Sequence, residues 1–279
     1  LKEEGLNVSY QRHTSGKNAL QAVLDGQADI ATVYQTPVVI AALNGAPVRI
    51  LSTLHRSNKN SAVVARRDLG VEKMKDLKGK RIGVTFGTYQ ATLLNRLLED
   101  DDVKSDQVTL IDMPHADTPA ALATGKVAAV MTRWPFVGKA QTLSPAGSTL
   151  LLDTSMYSEI SVLATTQQIV TQRSESLYRL MRAMVKAERY IDTHPDLALA
   201  LAMRHWQRTA TDDDRQIWNN IQLQLRLDNA LVQSMDMEAE WLYRHGKAPQ
   251  ATASLENLLA SDFLKAARPQ SVLVREDRQ

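Results

Sequence analysis

The stretch KRIGVTFGTYQATLLNRLL, residues 80–98, decides the fold class. Residues 81–86 read as a short buried strand. Gly87 breaks it, and Thr88, Tyr89 and Gln90 lead into a helical run with Leu93, Leu94, Leu97 and Leu98 on one side. A strand that turns through Gly-Thr directly into a helix leaves backbone N–H groups and a hydroxyl at the helix N-terminus, where an anion or a polar ligand head is well received. The same turn also serves in α/β domains that bind nothing there. No G-x-x-x-x-G-K-[ST] phosphate loop occurs in the chain.

Outward from this unit, strands and helices alternate. Residues 1–5 read as a helix end closed by Gly5, residues 6–10 as a strand with Leu6, Val8 and Tyr10 alternating, and residues 17–24 as a helix behind Ser15 and Gly16. Strands are expected at 29–33, 48–54, 61–65, 108–113, 127–132, 149–152 and 160–165. Short helices are expected at 38–43 and 71–77 and after Asp117-Thr118-Pro119, where Asp117 is the expected N-cap; another opens at Arg133-Trp134-Pro135. From Ser174 the texture turns helical, with patterns at 174–190, 196–208, 213–228, 235–243 and 257–266, and a possible strand at 271–274. Alternation followed by helices predicts parallel sheets covered by helices.

At 279 residues there is room for one large domain or two moderate ones. The net charge of +2 is small, and no basic stripe with interleaved aromatics argues for nucleic acid. The chain has no Cys, which excludes disulfides, thiolate metal sites and a cysteine nucleophile. No apolar run approaches the ~20 residues that span a bilayer. The chain opens on Leu1 rather than Met, so a processed or trimmed piece is expected, with a lost export signal or anchor left open. The six histidines are scattered without zinc spacing and no H-E-x-x-H occurs, so neither metal nor cofactor is expected. Asp212-Asp213-Asp214 lacks the glycine and terminal Glu of a calcium loop and reads as a solvated helix start. There is no G-x-S-x-G elbow. Trp206, Trp218 and Trp241 are expected to pack the C-terminal helices.

Residues 19–37 and 120–135 echo each other: a helix ended by Gly, an apolar strand, a polar aromatic-bearing turn, then a Pro opening the next helix. Two similar α/β lobes would produce this pattern, as would the repetitive physics of βαβ units. Ligands of open α/β sheets bind beyond the carboxyl ends of the strands. That rule singles out Tyr34-Gln35-Thr36 on one lobe, and Gly87-Thr88-Tyr89 with Arg133-Trp134 on the other.

Six segments, LKEEGLNV at 1–8, residues 26–37, GAPVRILSTLHRS at 45–57, DLKGKRIGV at 76–84, AALATGKV at 120–127 and RWPF at 133–136, resemble the nitrate/sulfonate/taurine-type solute-binding proteins of ABC importers. That family includes binders of thiamine-pyrimidine precursors. The resemblance implies an α/β, two-lobed periplasmic-binding-protein-like (type II) fold with two crossover hinge strands and a helical C-terminal part. It places lobe 1 at 1–60 and 166–279, lobe 2 at 66–160, and the hinge near 61–65 and 161–165. It further implies a small anionic or zwitterionic ligand held between the lobes, a membrane permease as partner, a monomer, and a periplasmic or anchored extracytoplasmic location. Three departures stand out. The family's first strand and helix, which precede the LKEEGL segment, are not in the chain. Arg133-Trp134-Pro135 stands where Trp-Glu-Pro is frequent, and Ala128 stands where Asp is frequent.

Within that frame, Thr88 is expected to donate to a ligand oxyanion together with the helix N–H groups, its alternative role being an N-cap. Gly87, Tyr89 and Gln90 flank it. Arg133 is placed to clamp a sulfonate, carboxylate or phosphate, its alternative being a solvated arginine. Trp134 either walls the pocket or packs between helices. Tyr34, Gln35 and Thr36 face the ligand from the other lobe, Tyr157 near a crossover closes over it, and Ser15 and Gly16 offer N–H groups. The rival functions are a ligand-sensing input domain of a membrane receptor and a pyrimidine-synthase-like enzyme. The latter's cysteine-rich motif is absent.

Overall fold

The computed structural model describes residues 1–144, 147–151, 158–205, 207, 209–249 and 254–274. The chain divides into two compact units, the first formed by Leu1–Arg56, Ile160–Thr209 and Gln222–Gln279, the second by Ser57–Glu159 and Ala210–Ile221. The first unit opens with α1 (Gly16–Leu24), β1 (Ala31–Tyr34), α2 (Gln35–Leu43) and β2 (Val48–Ser57). The second carries β3 (Ser61–Arg66), β4 (Arg81–Val84), α3 (Tyr89–Asp100), β5 (Thr109–Asp112), α4 (Thr118–Ala123), β6 (Ala129–Arg133), α5 (Phe136–Leu143) and β7 (Ser148–Leu151). The chain returns along β8 (Glu159–Thr166) to α6 (Gln167–Gln172), α7 (Ser174–Thr193) and α8 (Pro195–His205). It lends α9 (Asp212–Asn220) to the second unit, then ends in the first with β9 (Gln222–Leu223), β10 (Leu227–Asp228), α10 (Asn229–Arg244), α11 (Ser261–Ala267) and β11 (Val272–Leu273).

The first unit holds a four-stranded sheet in the order β1-β8-β2-β9, with a small parallel β10-β11 pair beside it. β1 pairs antiparallel with β8, Ala31 opposite Ala164 and Tyr34 opposite Ser161. The strands are apolar and β-branched, as buried strands must be, and α2 adds the fully buried Val38 and Val39. On α7 the buried Leu177, Met181 and Val185 recur every fourth residue and form one stripe against this core.

The second unit holds a five-stranded sheet in the order β5-β4-β6-β3-β7. β4 runs parallel to β5 and β6, while β3 is antiparallel to both β6 and β7. Ala62, Val64, Val130, Leu122, Val137 and Trp134 form its core. The strand–turn–helix of residues 80–98 forms as read. β4 ends at Val84, Gly87 takes φ 72°, and α3 buries Leu93, Leu94, Leu97 and Leu98. The left-handed conformation at Gly87 is what lets so short a turn reverse into a helix.

Several expectations change. Neither sheet is purely parallel: in the first unit β1 pairs antiparallel with β8 and β2 with β9, and in the second β3 runs against both β6 and β7 while β4 runs parallel to β5 and β6. Residues 61–65 and 161–165 lie inside the sheets, held by ladder bonds, and the unit borders fall instead at Arg56/Ser57 and Glu159/Ile160, and again at Thr209/Ala210 and Ile221/Gln222. Residues 210–221, expected in lobe 1, thus belong to the second unit, where Ile217 packs on its core. Residues 6–10 are not a strand: they are mostly exposed, and no ladder partner meets them among the described residues. The helix expected over 213–228 stops at Asn220, because the next residues pair with His55 and Arg56 of β2. Asp117 makes no capping bond; Thr118 Oγ1 donates to the His115 carbonyl at 2.7 Å instead. Trp241 is buried in the first unit and Trp218 is half-buried, while Trp206 lies outside the described residues.

Gly16 begins α1 where the helix meets β1. A Cβ there would stand 3.0 Å from the Val33 Cα and 3.4 Å from the Thr32 carbonyl oxygen. Backbone cannot give way as a side-chain tip does, so α1 itself must lift. Gly16→Ala is therefore expected to destabilise the protein by about 1–3 kcal/mol in urea unfolding; a change inside about 0.5 kcal/mol would show that α1 is not so closely seated.

Candidate functional site

In the second unit, β3 and β6 pair with Ser61 directly opposite Arg133. Opposed residues of an antiparallel pair project to the same face, so this register puts a hydroxyl and a guanidinium side by side at the carboxyl end of β6. Ser61 Oγ donates to Glu159 Oε2 at 2.9 Å, and Gln90 Nε2, in the first turn of α3, donates to Ser61 Oγ at 2.8 Å. A longer contact of 3.4 Å runs from Gln90 Nε2 to Glu159 Oε2. Glu159 is 1% exposed, and its other oxygen, Oε1, has no hydrogen-bond partner among the described residues. Burial pushes its carboxyl up to about 7, while Ser61, Asn60 and the positive charge of Arg133 pull the other way. A cavity of about 10 Å³, lined by Ser57, Ser61, Tyr89 and Glu159 among others, adjoins it; that is room for a single water and not for an organic molecule.

Arg133 is half-buried. Its Nη1 donates to the Trp134 carbonyl at 3.2 Å, and its guanidinium carbon stands 5.7 Å from the centre of the Phe136 ring. On the other face of this corner His115 stacks on Phe136, with ring centres 6.4 Å apart and planes 12° apart. His115 Nδ1 lies 3.4 Å from Thr132 Oγ1, and burial, with the charge of Arg133, brings its pKa down to about 4. Thr88 is buried at the N-cap position, but its Oγ1 donates to the Thr85 carbonyl at 2.7 Å. It offers a ligand lone pairs rather than the hydrogen expected of it, and it does not cap α3. Trp134 packs in the core rather than walling a pocket.

In the first unit the carboxyl end of β1 delivers Tyr34. Its hydroxyl is 3.4 Å from His55 Nε2, and the two rings meet edge to face. Burial lowers the His55 pKa to about 4, so this imidazole is neutral. Gln35 and Thr36 are buried and turned inward. Gln35 Nε2 donates to Ser234 Oγ at 2.9 Å and to Glu238 Oε2 at 3.0 Å, and Thr36 Oγ1 donates to Glu238 Oε1. These side chains tie the start of α2 to α10. Ser15 Oγ accepts from the Asn18 N–H as the N-cap of α1, and Gly16 packs against β1. Tyr157 lies outside the described residues.

The structure therefore brings Arg133, Gln90 and Tyr89 to one corner with Thr88 at the adjoining turn, and spends Gln35, Thr36 and Trp134 on packing. Glu159, His115 and His55 were missed in the sequence. A lone carboxylate opening an apolar β-branched run, as in Glu159-Ile160-Ser161-Val162, was the one signal for the first; nothing in the spacing marked the histidines. Among the described residues no group of three or more His, Asp or Glu is placed to hold a metal.

Both neutral histidines bind protons more weakly in the fold than at their ordinary value of 6.5. Their contribution is full above that value and is lost as pH falls toward about 4. Glu159 acts with the opposite sign: its raised pKa favours the fold below about 4.5, and that benefit is lost as pH rises toward about 7. At about pH 5 two protons excluded outweigh one retained, so stability should fall on acidification by about 1.4 kcal/mol per pH unit per net proton. In His55→Gln/His115→Gln the carboxyl alone remains, and the slope of urea-unfolding stability between about pH 6 and 5 should reverse sign. An unchanged slope would mean that neither imidazole is held neutral.

The NMT1/THI5 like family model matches residues 1–198. A Brucella abortus protein named as a binding protein is 23% identical over 206 residues, 73% of this chain and 63% of that protein, so the chain spans less than two thirds of that relative. The taurine-binding periplasmic protein of Escherichia coli is 25% identical over 126 residues, 45% of this chain and 39% of that one. Among solved structures, the alkanesulfonate-binding protein SsuA of Xanthomonas axonopodis pv. citri, bound to MOPS, superposes with a TM-score of 0.76 at 16% identity, covering 91% of this chain and 88% of that one. DSZB, a desulfurization enzyme solved as a mutant with biphenyl-2-sulfinic acid, superposes with a TM-score of 0.71 at 18% identity, covering 96% and 92%. The fold is thus the α/β, type II fold of periplasmic binding proteins. With its match running over more than half of its length, the chain belongs to the NMT1/THI5-like family.

Proposed function

We propose that the chain is the extracytoplasmic solute-binding component of an ABC importer and that it takes up a small organic anion or zwitterion of the sulfonate or taurine kind, with nitrate as a smaller candidate. The observation that carries the reading is Arg133. It stands at the carboxyl end of β6, across the β3 register from Ser61 and so beside Gln90 in the first turn of α3. A guanidinium and a helix N-terminus both favour negative charge. The family match and the names borne by the E. coli and Xanthomonas relatives support the same ligand class. In the second unit Tyr89 would be an aromatic wall and Thr88 and Gln90 polar contacts beside Arg133, and a membrane permease would receive the loaded form. No helix among the described residues is long and apolar enough to cross a membrane. Binding without turnover is the role proposed; the DSZB fold shows that this scaffold also carries catalysis, but the chain has no cysteine to serve as a nucleophile.

Titration calorimetry with taurine, ethanesulfonate and nitrate tests the reading. Arg133→Ala is expected to weaken the best of these about 10–100-fold, the effect of removing a charge-assisted pair worth about 1.5–3 kcal/mol. Its thermal midpoint should stay near wild type because Arg133 lies at a strand end. Wild-type affinity in the variant would remove Arg133 from the site.

A further inference from the structure

We propose that Glu159 is a positioning residue that couples anion capture at Arg133 to the uptake of one proton. The inference rests on the reading that Arg133 receives the anion. It starts from a chain of donors that all point one way: the Gln90 amide donates to Ser61, and the Ser61 hydroxyl donates to Glu159 Oε2. An ionised Glu159 holds both donors inward. It also shares a corner with the guanidinium, since Ser61 bonds the carboxylate and lies opposite Arg133 in the ladder, and the charge of Arg133 acts on it. The negative charge inside the wall thus offsets part of the positive charge that an incoming anion must find.

The groups that face Glu159 can be named element by element. β3 and its preceding turn contribute Ser61 and Asn60, α3 contributes Gln90, and β6 contributes Arg133. Tyr89 and Ser57 line the water-sized cavity beside it. Among the described residues Arg133 is the charged group that acts on the carboxyl, and His115, which also senses Arg133, stays neutral. Oε2 has its partners, whereas Oε1 is buried without one. Oε1 is therefore the atom that takes the proton, and Glu159 lines the adjoining water-sized cavity. Once protonated, Glu159 no longer offsets Arg133, and the field at the guanidinium rises. By reciprocity an anion bound at Arg133 draws a proton to Glu159 as strongly as the proton favours the anion. Burial already holds this carboxyl near neutrality, where a modest push moves its occupancy.

The test is a pH titration of the full chain carrying ¹³C-labelled glutamate carboxyls, read by NMR with and without ethanesulfonate and assigned by loss of the signal in Glu159→Gln. The expected result is one carboxyl titrating near neutrality, with a midpoint that rises by about one pH unit when ethanesulfonate saturates the protein. Calorimetry should then show affinity rising about fivefold from about pH 8 to about pH 6 in the wild type. In Glu159→Gln the affinity should stay at the higher level throughout. In ligand-free protein, Arg133→Gln should also raise the midpoint, because the cation that favours the charged form is gone. A Glu159 signal that does not respond to Arg133→Gln overturns the coupling, as does pH-dependent affinity that survives in Glu159→Gln. A signal that responds to Arg133→Gln in a protein that binds no ethanesulfonate at any pH overturns the anion reading, and proton-coupled capture with it.

Discussion

The corner of the second unit depends on one register: Ser61 of β3 set opposite Arg133 of β6. A shift of β3 by one residue would turn Ser61 to the other face, away from Arg133, and with it the hydroxyl that satisfies Glu159. A carboxyl buried to 1% exposure survives only if hydrogen bonds replace water, and here Ser61 and Gln90 supply them. Gln90 reaches this point because Gly87 turns the chain into α3 immediately after β4. Sheet pairing, the turn and the buried charge are thus mutually dependent, and the guanidinium is aimed by the arrangement as a whole.

The two units use similar loops in different ways. At the carboxyl end of β1, Gln35 and Thr36 are drawn inward by Glu238, which ties α2 to α10. What remains facing outward there is half-buried Tyr34 beside neutral His55. At the carboxyl end of β6 the chain keeps a cation, Arg133, braced on Phe136 and on the Trp134 carbonyl. One unit therefore brings aromatic surface and neutral polar atoms, and the other brings charge.

A scaffold shared by SsuA and DSZB carries both capture and catalysis, so the fold alone does not select between them. The selection lies in which groups stand at the strand ends. In this chain those groups include the Arg133 guanidinium, the Gln90 amide, the buried Glu159 carboxyl and the paired Tyr34 and His55 rings, with no thiol anywhere in the sequence.

The sequence by itself determined the alternation of strands and helices, the Gly87 turn into α3, the helical C-terminal part and the family. These depend on local spacing of apolar residues and on glycine and proline, which act within a few positions of themselves. It also marked Arg133, Gln90 and Thr88, because a polar residue at a strand end is visible in one dimension. Tertiary structure alone decided that Gln35 and Thr36 face Glu238, about two hundred residues away, that Trp134 is core, and that Glu159 meets Ser61 across 98 positions. It also decided that residues 6–10, alternating like a strand, pair with nothing among the described residues, and that 222–223 leave a helical pattern to join β2. In each case the cause is a partner distant in the chain. A strand needs a neighbour for its backbone N–H groups, and a buried polar atom needs one for its hydrogen bond, and periodicity does not say which neighbour arrives.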